Sequence, residues 1–110
     1  MIMRTFGQII KEVRKDKRIT QRDLAKQIDV DFTYISKIEN EALEPPSEEV
    51  IIKIAKTLEI DENELFLAAK KVPTEFKNTI LEENTANMFF RRYSNLTSEQ
   101  KQRIDKILEE

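Results

Sequence analysis

Hydrophobic residues recur along this chain at helical spacing, in short segments that polar or proline-containing stretches separate. The first segment has apolar residues at i, i+3, i+4 and i+7, namely Phe6, Ile9, Ile10 and Val13. Such a one-sided stripe is typical of an amphipathic helix. Strand-like alternation never extends beyond a few residues. The pattern therefore predicts an all-α protein.

The segments within residues 5–71 begin with side chains that commonly cap helices. Thr20 and Asp23 have the spacing of a capping box, and so do Asp61 and Glu64. Five helices are predicted here, and a short turn joins the second and third, at about 21–28 and 32–39. The predicted N-caps are Thr5, Thr20, Asp31, Ser47 and Asp61, and the inward residues include Leu24, Ile35, Ile38, Ile54 and Leu65.

Pro73 separates these helices from a second region. Three further helices are predicted at about 74–83, 85–94 and 98–109, and Thr97 with Gln100 forms a capping box before the last of them. We therefore divide the chain into a first domain, residues 4–71, and a helical extension, residues 72–110.

Composition removes most catalytic chemistry. The chain has no Cys and no His, which excludes disulfides, Cys/His zinc sites, thiol nucleophiles and the commonest general base. Its carboxylate pairs, Glu48–Glu49 and Glu82–Glu83, are neighbours in predicted helices, where adjacent side chains project about 100° apart. The single glycine excludes a glycine-rich phosphate loop. We predict no enzymatic activity, no cofactor and no metal site.

Length, charge and hydropathy limit the domain number, the class of partner and the location of the protein. The 110 residues fit one domain with an appendage, and the net charge of −2 does not by itself favour nucleic acid. Residues 1–40, however, contain nine Lys and Arg against six Asp and Glu. No apolar run approaches the roughly 20 residues that span a bilayer, and no signal-peptide pattern opens the chain. These features predict a cytoplasmic protein that makes no membrane contact.

A long ordered series of residues resembles one known family. The series comprises residues 20–25, Val30, and residues 34–40, 46–47 and 54–58. It is similar to the helix-turn-helix domain of the Xre/Cro/CI family of bacterial and phage regulators, over roughly residues 4–67. The resemblance implies a five-helix, lambda-repressor-like domain followed by a C-terminal helical extension. It also implies binding to the major groove of double-stranded DNA.

In that family the second helix of the motif, here about 32–39, enters the major groove. Ile35 and Ile38 then face the core, and the outward residues are Phe32, Thr33, Tyr34, Ser36 and Lys37. Lys37 can reach guanine acceptors, whereas Thr33 and Phe32 can contact a thymine methyl group. The alternative for Phe32 and Tyr34 is a place at the edge of the core, and for Lys37 a purely solvated position.

Other implied contacts fix the protein on DNA without reading bases. Gln21 begins a helix, where free N–H groups favour a phosphate, and Asn40 has the family position that holds backbone phosphate. Arg22 is expected to join this DNA-binding surface. Arg14 and Glu39 match positions that pair across helices in relatives, so we predict that their ion pair sets the angle of the recognition helix.

The sequence departs from the family pattern at three helix ends. Relatives usually have glycine there, in a backbone conformation with positive φ, whereas this chain has Asp29, Glu41 and Glu59. A residue other than glycine costs up to about 1 kcal/mol at such a position.

The extension supplies many apolar residues on short helices. Phe89 and Phe90 are consecutive and cannot share one helix face. We therefore predict that part of the extension forms a homodimer interface, which would present two recognition helices to two half-sites. The alternatives are that the extension folds back on the first domain or binds another protein. The predicted interface residues are Phe76, Met88, Phe89, Phe90, Tyr93, Ile104, Ile107 and Leu108.

The resemblance thus leads to one function and two alternatives. The chain is expected to be a sequence-specific, dimeric repressor that binds a palindromic operator of a mobile-element, phage or restriction-modification operon. One alternative is an antitoxin that binds both DNA and a toxin. The other is a protein-interaction module that does not bind DNA.

Overall fold

The computed structural model describes residues 4–110. Within this range it contains eight α-helices, one 3₁₀ turn and no strand, so the predicted all-α class is confirmed. Two compact units divide the chain, one ending at Pro73 and the other comprising Thr74–Glu110.

The first unit contains five short helices, as the spacing of hydrophobic residues predicted. Their apolar faces surround one core, in which Ile10, Leu24, Ile51 and Leu58 are completely buried. Because every buried hydrophobic side chain among the described residues lies between Phe6 and Ala69, this unit has a core of its own. The helices are α1 (Phe6–Asp16), α2 (Gln21–Gln27), α3 (Phe32–Glu39), α4 (Glu48–Leu58) and α5 (Glu62–Ala68).

Capping boxes fix where two of these helices begin. Thr5 forms a capping box with Gln8, and Thr20 forms the predicted one with Asp23. The Thr20 side chain accepts from the Asp23 N–H at 3.0 Å, and Asp23 accepts from the Thr20 N–H at 3.2 Å. The hydroxyl group and the N–H of Thr20 both interact with the Asp23 carboxylate, which favours its ionised form and lowers the pKa of Asp23.

Two predicted caps differ from expectation. Ser47 precedes α4, but its side chain makes no cap hydrogen bond. The predicted capping box of Asp61 and Glu64 is wrong, because Asp61 instead accepts from the Asn63 N–H at 2.8 Å. Asp31, before α3, accepts in the same way from the N–H two residues ahead. The short aspartate side chain satisfies the second free N–H of the helix in both cases.

All five helices of the first unit end in a left-handed residue other than glycine. The predicted positions Asp29, Glu41 and Glu59 have φ of 58°, 59° and 56°. The structure adds two that the sequence did not reveal, Arg18 with φ 58° and Lys70 with φ 56°. Each residue carries a steric cost that glycine would avoid. The end of every helix is nevertheless closed by backbone hydrogen bonds.

The second unit consists of α6 (Thr74–Glu82), α7 (Asn84–Arg92), a 3₁₀ turn (Tyr93–Asn95) and α8 (Ser98–Leu108). Helices α6 and α7 contact each other. The Tyr93 ring meets the Phe89 ring edge-on at 5.6 Å, and the Lys101 ammonium group lies 4.6 Å from the Tyr93 ring centre. No residue of this unit is buried, so its helices leave most of their apolar side chains in contact with solvent.

Candidate nucleic-acid interface

Helices α2 and α3 form a pair with a tight connection. The Val30 N–H donates to the Ala25 carbonyl at 2.9 Å across the left-handed residue Asp29. Ile35 and Ile38 anchor α3 in the core, with 1% and 3% of their surface exposed. One face of α3 is therefore fixed against the other helices, and the opposite face is open to solvent.

The predicted base-reading residues differ in exposure. Thr33 and Lys37 are exposed and stand one helical turn apart. Ser36 is half-buried, and so are Phe32 and Tyr34, which pack against the edge of the core. Phe32 and Tyr34 therefore have the packing role that is the alternative to base contact. Their half-exposure still leaves part of each ring at the surface.

The predicted backbone-contacting residues surround this open face. Asn40 and Arg22 are exposed, and Gln21 is half-buried. The Arg22 guanidinium lies over the Phe32 ring, 4.4 Å from its centre. This cation–π contact joins the first turn of α2 to the first residue of α3.

A buried hydrogen-bonded network holds α3 in place. Arg14 and Glu39 form a bidentate ion pair, with Nε to Oε2 at 2.7 Å and Nη2 to Oε1 at 3.0 Å. The Arg14 Nη1 group also donates to the Ile19 carbonyl at 2.9 Å. The hydrogen bond to Glu39 raises the pKa of Arg14. The side chains are 10% and 1% exposed, so the pair is desolvated.

Gln21 also belongs to this network, a contact that the sequence pattern does not predict. Its Nε2 group donates to Oε1 of Glu39 at 3.1 Å. Arg14, Gln21 and Glu39 thereby connect α1, α2 and α3 through one carboxylate. The position of Gln21 at the start of a helix predicts only a phosphate contact, and no spacing rule relates residues 21 and 39.

Gly7 allows α1 to approach the end of α3 closely. A Cβ atom built on Gly7 would lie 2.6 Å from the Glu39 carbonyl oxygen and 2.7 Å from that of Ile38. Backbone atoms cannot move aside as a flexible side chain can, so a larger residue would displace α3. The only glycine of the chain stands inside a helix, where glycine lowers stability. A glycine within a predicted helix is therefore the sequence feature from which a close approach of another backbone segment could have been predicted.

The predicted interface residues of the extension are mostly exposed. Ile104 is half-buried, and the others show between 41% and 77% of their surface. Exposed apolar side chains of this size and number are uncommon on a monomer. The exposed residues are Phe76, Met88, Phe89, Phe90, Tyr93, Ile107 and Leu108.

Among residues 4–110, no cluster of three or more Asp and Glu side chains has an arrangement that would hold a metal ion. Within the same residues, no helix combines the length and apolar character that crossing a membrane requires.

Known proteins resemble this chain in sequence and in fold. The family model HTH_3, described as Helix-turn-helix, matches residues 10–65. The chain is 34% identical over 70 residues to the ImmF control region 10 kDa protein of Bacillus phage phi105, a match that covers 64% of this chain and 77% of that protein.

Among solved structures, a chain of the SinR protein/SinI protein complex has the same fold, with a TM-score of 0.54 and 23% identity over 92% of this chain and 99% of that chain. The residues that the family model matches include α2 and α3. The family model and the phage relative confirm the predicted resemblance to the Xre/Cro/CI family, and the solved structure has the same fold. This chain belongs to the Xre-type helix-turn-helix family HTH_3 and is a DNA-binding transcriptional regulator.

Proposed function

We propose that this protein is a dimeric, sequence-specific repressor that acts in the cytoplasm on a palindromic operator. The observation that carries the proposal is the rigid mounting of α3. Ile35 and Ile38 are buried, Glu39 is held by a desolvated ion pair, and Thr33 and Lys37 face outward. A helix held in this way can present the same two side chains to DNA in every complex.

The chemistry of the outward face suits direct reading of bases. The Lys37 ammonium group can donate to the O6 and N7 acceptors of guanine, which lie in the major groove. Thr33, one turn earlier, offers a hydroxyl group for hydrogen bonding and a methyl group for contact with thymine. Ser36 and the exposed part of Tyr34 border these two residues on the same short helix.

Residues around α3 have the chemistry to hold the DNA backbone. Asn40 follows the last residue of α3, is exposed and has an amide that can donate to a phosphate. Gln21 uses one N–H of its amide for Glu39, and the second remains available for a phosphate. We infer that Gln21 links the DNA backbone to the network of Arg14 and Glu39 that holds α3.

The second unit supports the dimeric part of the proposal. Its side chains expose a large apolar surface, including Phe90 at 64% and Leu108 at 77%. Burying that surface against the same surface of a second copy would satisfy the symmetry that a palindromic operator requires. A single eight-residue recognition helix also reads few base pairs, so two copies would supply the affinity that one lacks.

The target of repression is proposed from the phage relative. The similar protein of Bacillus phage phi105 is named for a control region. We therefore propose that this chain regulates an operon of a phage, a mobile element or a restriction-modification system.

In vitro selection of duplexes from a random library, with the full-length protein, tests this function. We expect enrichment of an inverted repeat whose half-sites are centred about 10 base pairs apart or a multiple of that. Enrichment of no sequence, with equal binding to all duplexes, would contradict a sequence-specific regulator. Absence of DNA binding at low salt would instead favour the protein-interaction module. A small toxic protein that co-purifies with the chain from its native host would favour the antitoxin.

Alanine variants separate base reading from backbone contact. Thr33→Ala and Lys37→Ala are each expected to change binding at particular base pairs by about 1–3 kcal/mol. Asn40→Ala and Gln21→Ala should weaken all sites alike, and Gln21→Ala should also lower the melting temperature because Glu39 loses a donor. Affinities for the selected duplex and its single-base-pair variants provide the measurement. An equal loss on every duplex for all four variants would contradict the assignment of base readers.

A further inference from the structure

A cavity opens between the start of α1, the end of α3 and the end of α5. It has a volume of about 590 Å³, which is within the usual size of small-molecule sites in proteins. Its lining comes from residues 4–7, 38–45 and 67–70, all of which belong to the first unit. None of the residues proposed to contact DNA lines it. We call it the α1–α5 cavity.

The α1–α5 cavity has an apolar floor and an open mouth. Phe6, Ile38 and Ala69 form the floor and are buried in the core. Leu43 and Leu67 stand at the mouth, with 44% and 73% of their surface exposed. A ligand that covered these two leucines with apolar groups would remove their side chains from water, which favours binding. The cavity therefore suits a ligand with apolar side chains.

Two opposite charges on the lining have no partner within the protein. Glu41 and Lys70 are exposed, and among residues 4–110 neither of them forms an ion pair. Arg4, the other charged residue of the lining, is already paired with Glu12 and Glu64. The free carboxylate and the free ammonium group therefore favour a ligand that carries both signs of charge.

Both charged residues stand at helix ends that hydrogen bonds hold in place. Glu41 follows α3 and Lys70 follows α5, each in a left-handed conformation, with φ of 59° and 56°. The N–H of each donates to the carbonyl three residues earlier, at 3.1 and 3.0 Å. The Lys71 ammonium group also donates to the Pro46 carbonyl at 2.6 Å, which ties the loop after α3 to the end of α5. The walls are thus preorganised, which lowers the entropic cost of binding.

The cavity also touches the end of the recognition helix. Ile38 belongs to α3, and a Cβ atom on the lining residue Gly7 would lie only 2.7 Å from the Ile38 carbonyl oxygen. Glu41 directly follows Asn40, the residue proposed to hold a DNA phosphate. Because the Glu41 carboxylate repels that phosphate, a ligand that neutralises Glu41 would strengthen the contact with DNA.

We propose that the α1–α5 cavity binds a zwitterionic ligand with apolar side chains, either a free apolar amino acid or a short apolar peptide. The ammonium group of the ligand pairs with Glu41, its carboxylate pairs with Lys70, and its side chains cover Leu43 and Leu67. Bound ligand raises the affinity for the operator, and the operator raises the affinity for the ligand by the same factor. The effect on DNA rests on the proposed function, whereas binding of the ligand does not.

Calorimetric titration of the full-length protein without DNA tests the site. The probes are leucine as a free amino acid, trileucine as a peptide, and trileucine with acetylated and amidated ends, which lacks both charges. We expect leucine or trileucine to bind, and the tighter of the two identifies the source of the ligand. The blocked peptide should bind at least about 10-fold more weakly than trileucine, because two charge-assisted hydrogen bonds are lost.

Variants of the lining assign each part of the ligand to its partner. Glu41→Gln and Lys70→Gln should each lower the affinity for the tighter probe by about 3-fold to 10-fold. Leu67→Ser should also lower it, because apolar contact is lost. Glu59→Gln and Arg18→Gln are the matched controls, since both residues are exposed, charged and left-handed at helix ends outside the cavity. They should leave the affinity unchanged.

The effect on DNA is measured with the operator selected by the wild-type protein. Saturation with the tighter probe should raise the operator affinity by about 5-fold, which is at the lower end of typical coupling between two sites. Without ligand, Glu41→Gln should bind the operator more tightly than the wild type, because its charge is already removed. For the same reason its operator affinity should not respond to the probe.

Three results would overturn the cavity proposal. The first is that no probe binds, or that the blocked peptide binds as tightly as trileucine. The second is an unchanged probe affinity in both Glu41→Gln and Lys70→Gln, which would place the ligand elsewhere. The third is a saturating probe that leaves operator affinity unchanged, which would overturn the regulatory part. If the wild-type protein bound no DNA while leucine or trileucine still bound at the cavity, the proposed function would fail and the ligand site would stand.

Discussion

Replacing Glu39 with glutamine is expected to lower the free energy of unfolding by about 3–5 kcal/mol, because a desolvated Arg14 is left without its counter-ion. The carboxylate of Glu39 accepts three hydrogen bonds, two from Arg14 and one from Gln21. Arg14→Met should have a comparable effect, since it leaves the Glu39 charge buried. For a domain of this size the melting temperature should fall by about 4–8 °C for each kcal/mol.

The chain offers a matched control for this prediction. Lys17 and Glu59 also form an ion pair between separate segments, at 3.0 Å, but their side chains are 34% and 79% exposed. Glu59→Gln should therefore change stability by no more than about 1 kcal/mol. The double variant Arg14→Met/Glu39→Met should recover part of the loss because it leaves no buried charge. Unchanged melting in both single variants would show that the pair contributes little.

The second large effect is expected when the extension is removed. A chain that ends at Lys71 retains every buried hydrophobic residue of the first unit. It should stay helical but behave as a monomer, and its affinity for the selected operator should fall by about 100-fold to 10,000-fold, because the two recognition helices of the proposed dimer would no longer be linked. Sedimentation equilibrium and operator titration of both chains measure these changes.

A pair of full-length variants locates the interface without truncation. Phe90 and Leu67 are both exposed apolar residues, at 64% and 73%, on α7 of the second unit and α5 of the first. Phe90→Ser is expected to dissociate the proposed dimer, and Leu67→Ser should leave it intact. The reverse outcome, or a dimer formed by the chain ending at Lys71, would place the interface in the first unit and overturn this assignment.

Helix starts and the inward faces of α1–α5 were predictable because each depends on residues close in sequence. Thr20 and Asp23 satisfy each other's backbone groups within one turn, and Ile35 and Ile38 follow helical periodicity. The left-handed conformations at Asp29 and Glu59 were predictable from the family resemblance.

Contacts between helices were less predictable from the sequence. The hydrogen bond from Gln21 to Glu39 and the stacking of Arg22 on Phe32 depend on how α2 is rotated against α3. The periodicity of hydrophobic residues predicts which face of a helix is buried. It does not predict which polar side chains meet at the border of that face. The Arg14–Glu39 pair was the exception, because the family resemblance already related those two positions.

Mapping the DNA contact on the full-length protein by NMR tests most directly whether α3 reads the DNA. Amide chemical shifts would be recorded while the selected duplex is added. The largest changes are expected in α3, around Thr33 and Lys37, with further changes at Gln21 and Asn40, which are proposed to hold the DNA backbone. Changes confined to α4, α5 or residues 74–110, with α3 unaffected, would contradict the claim that α3 reads the DNA.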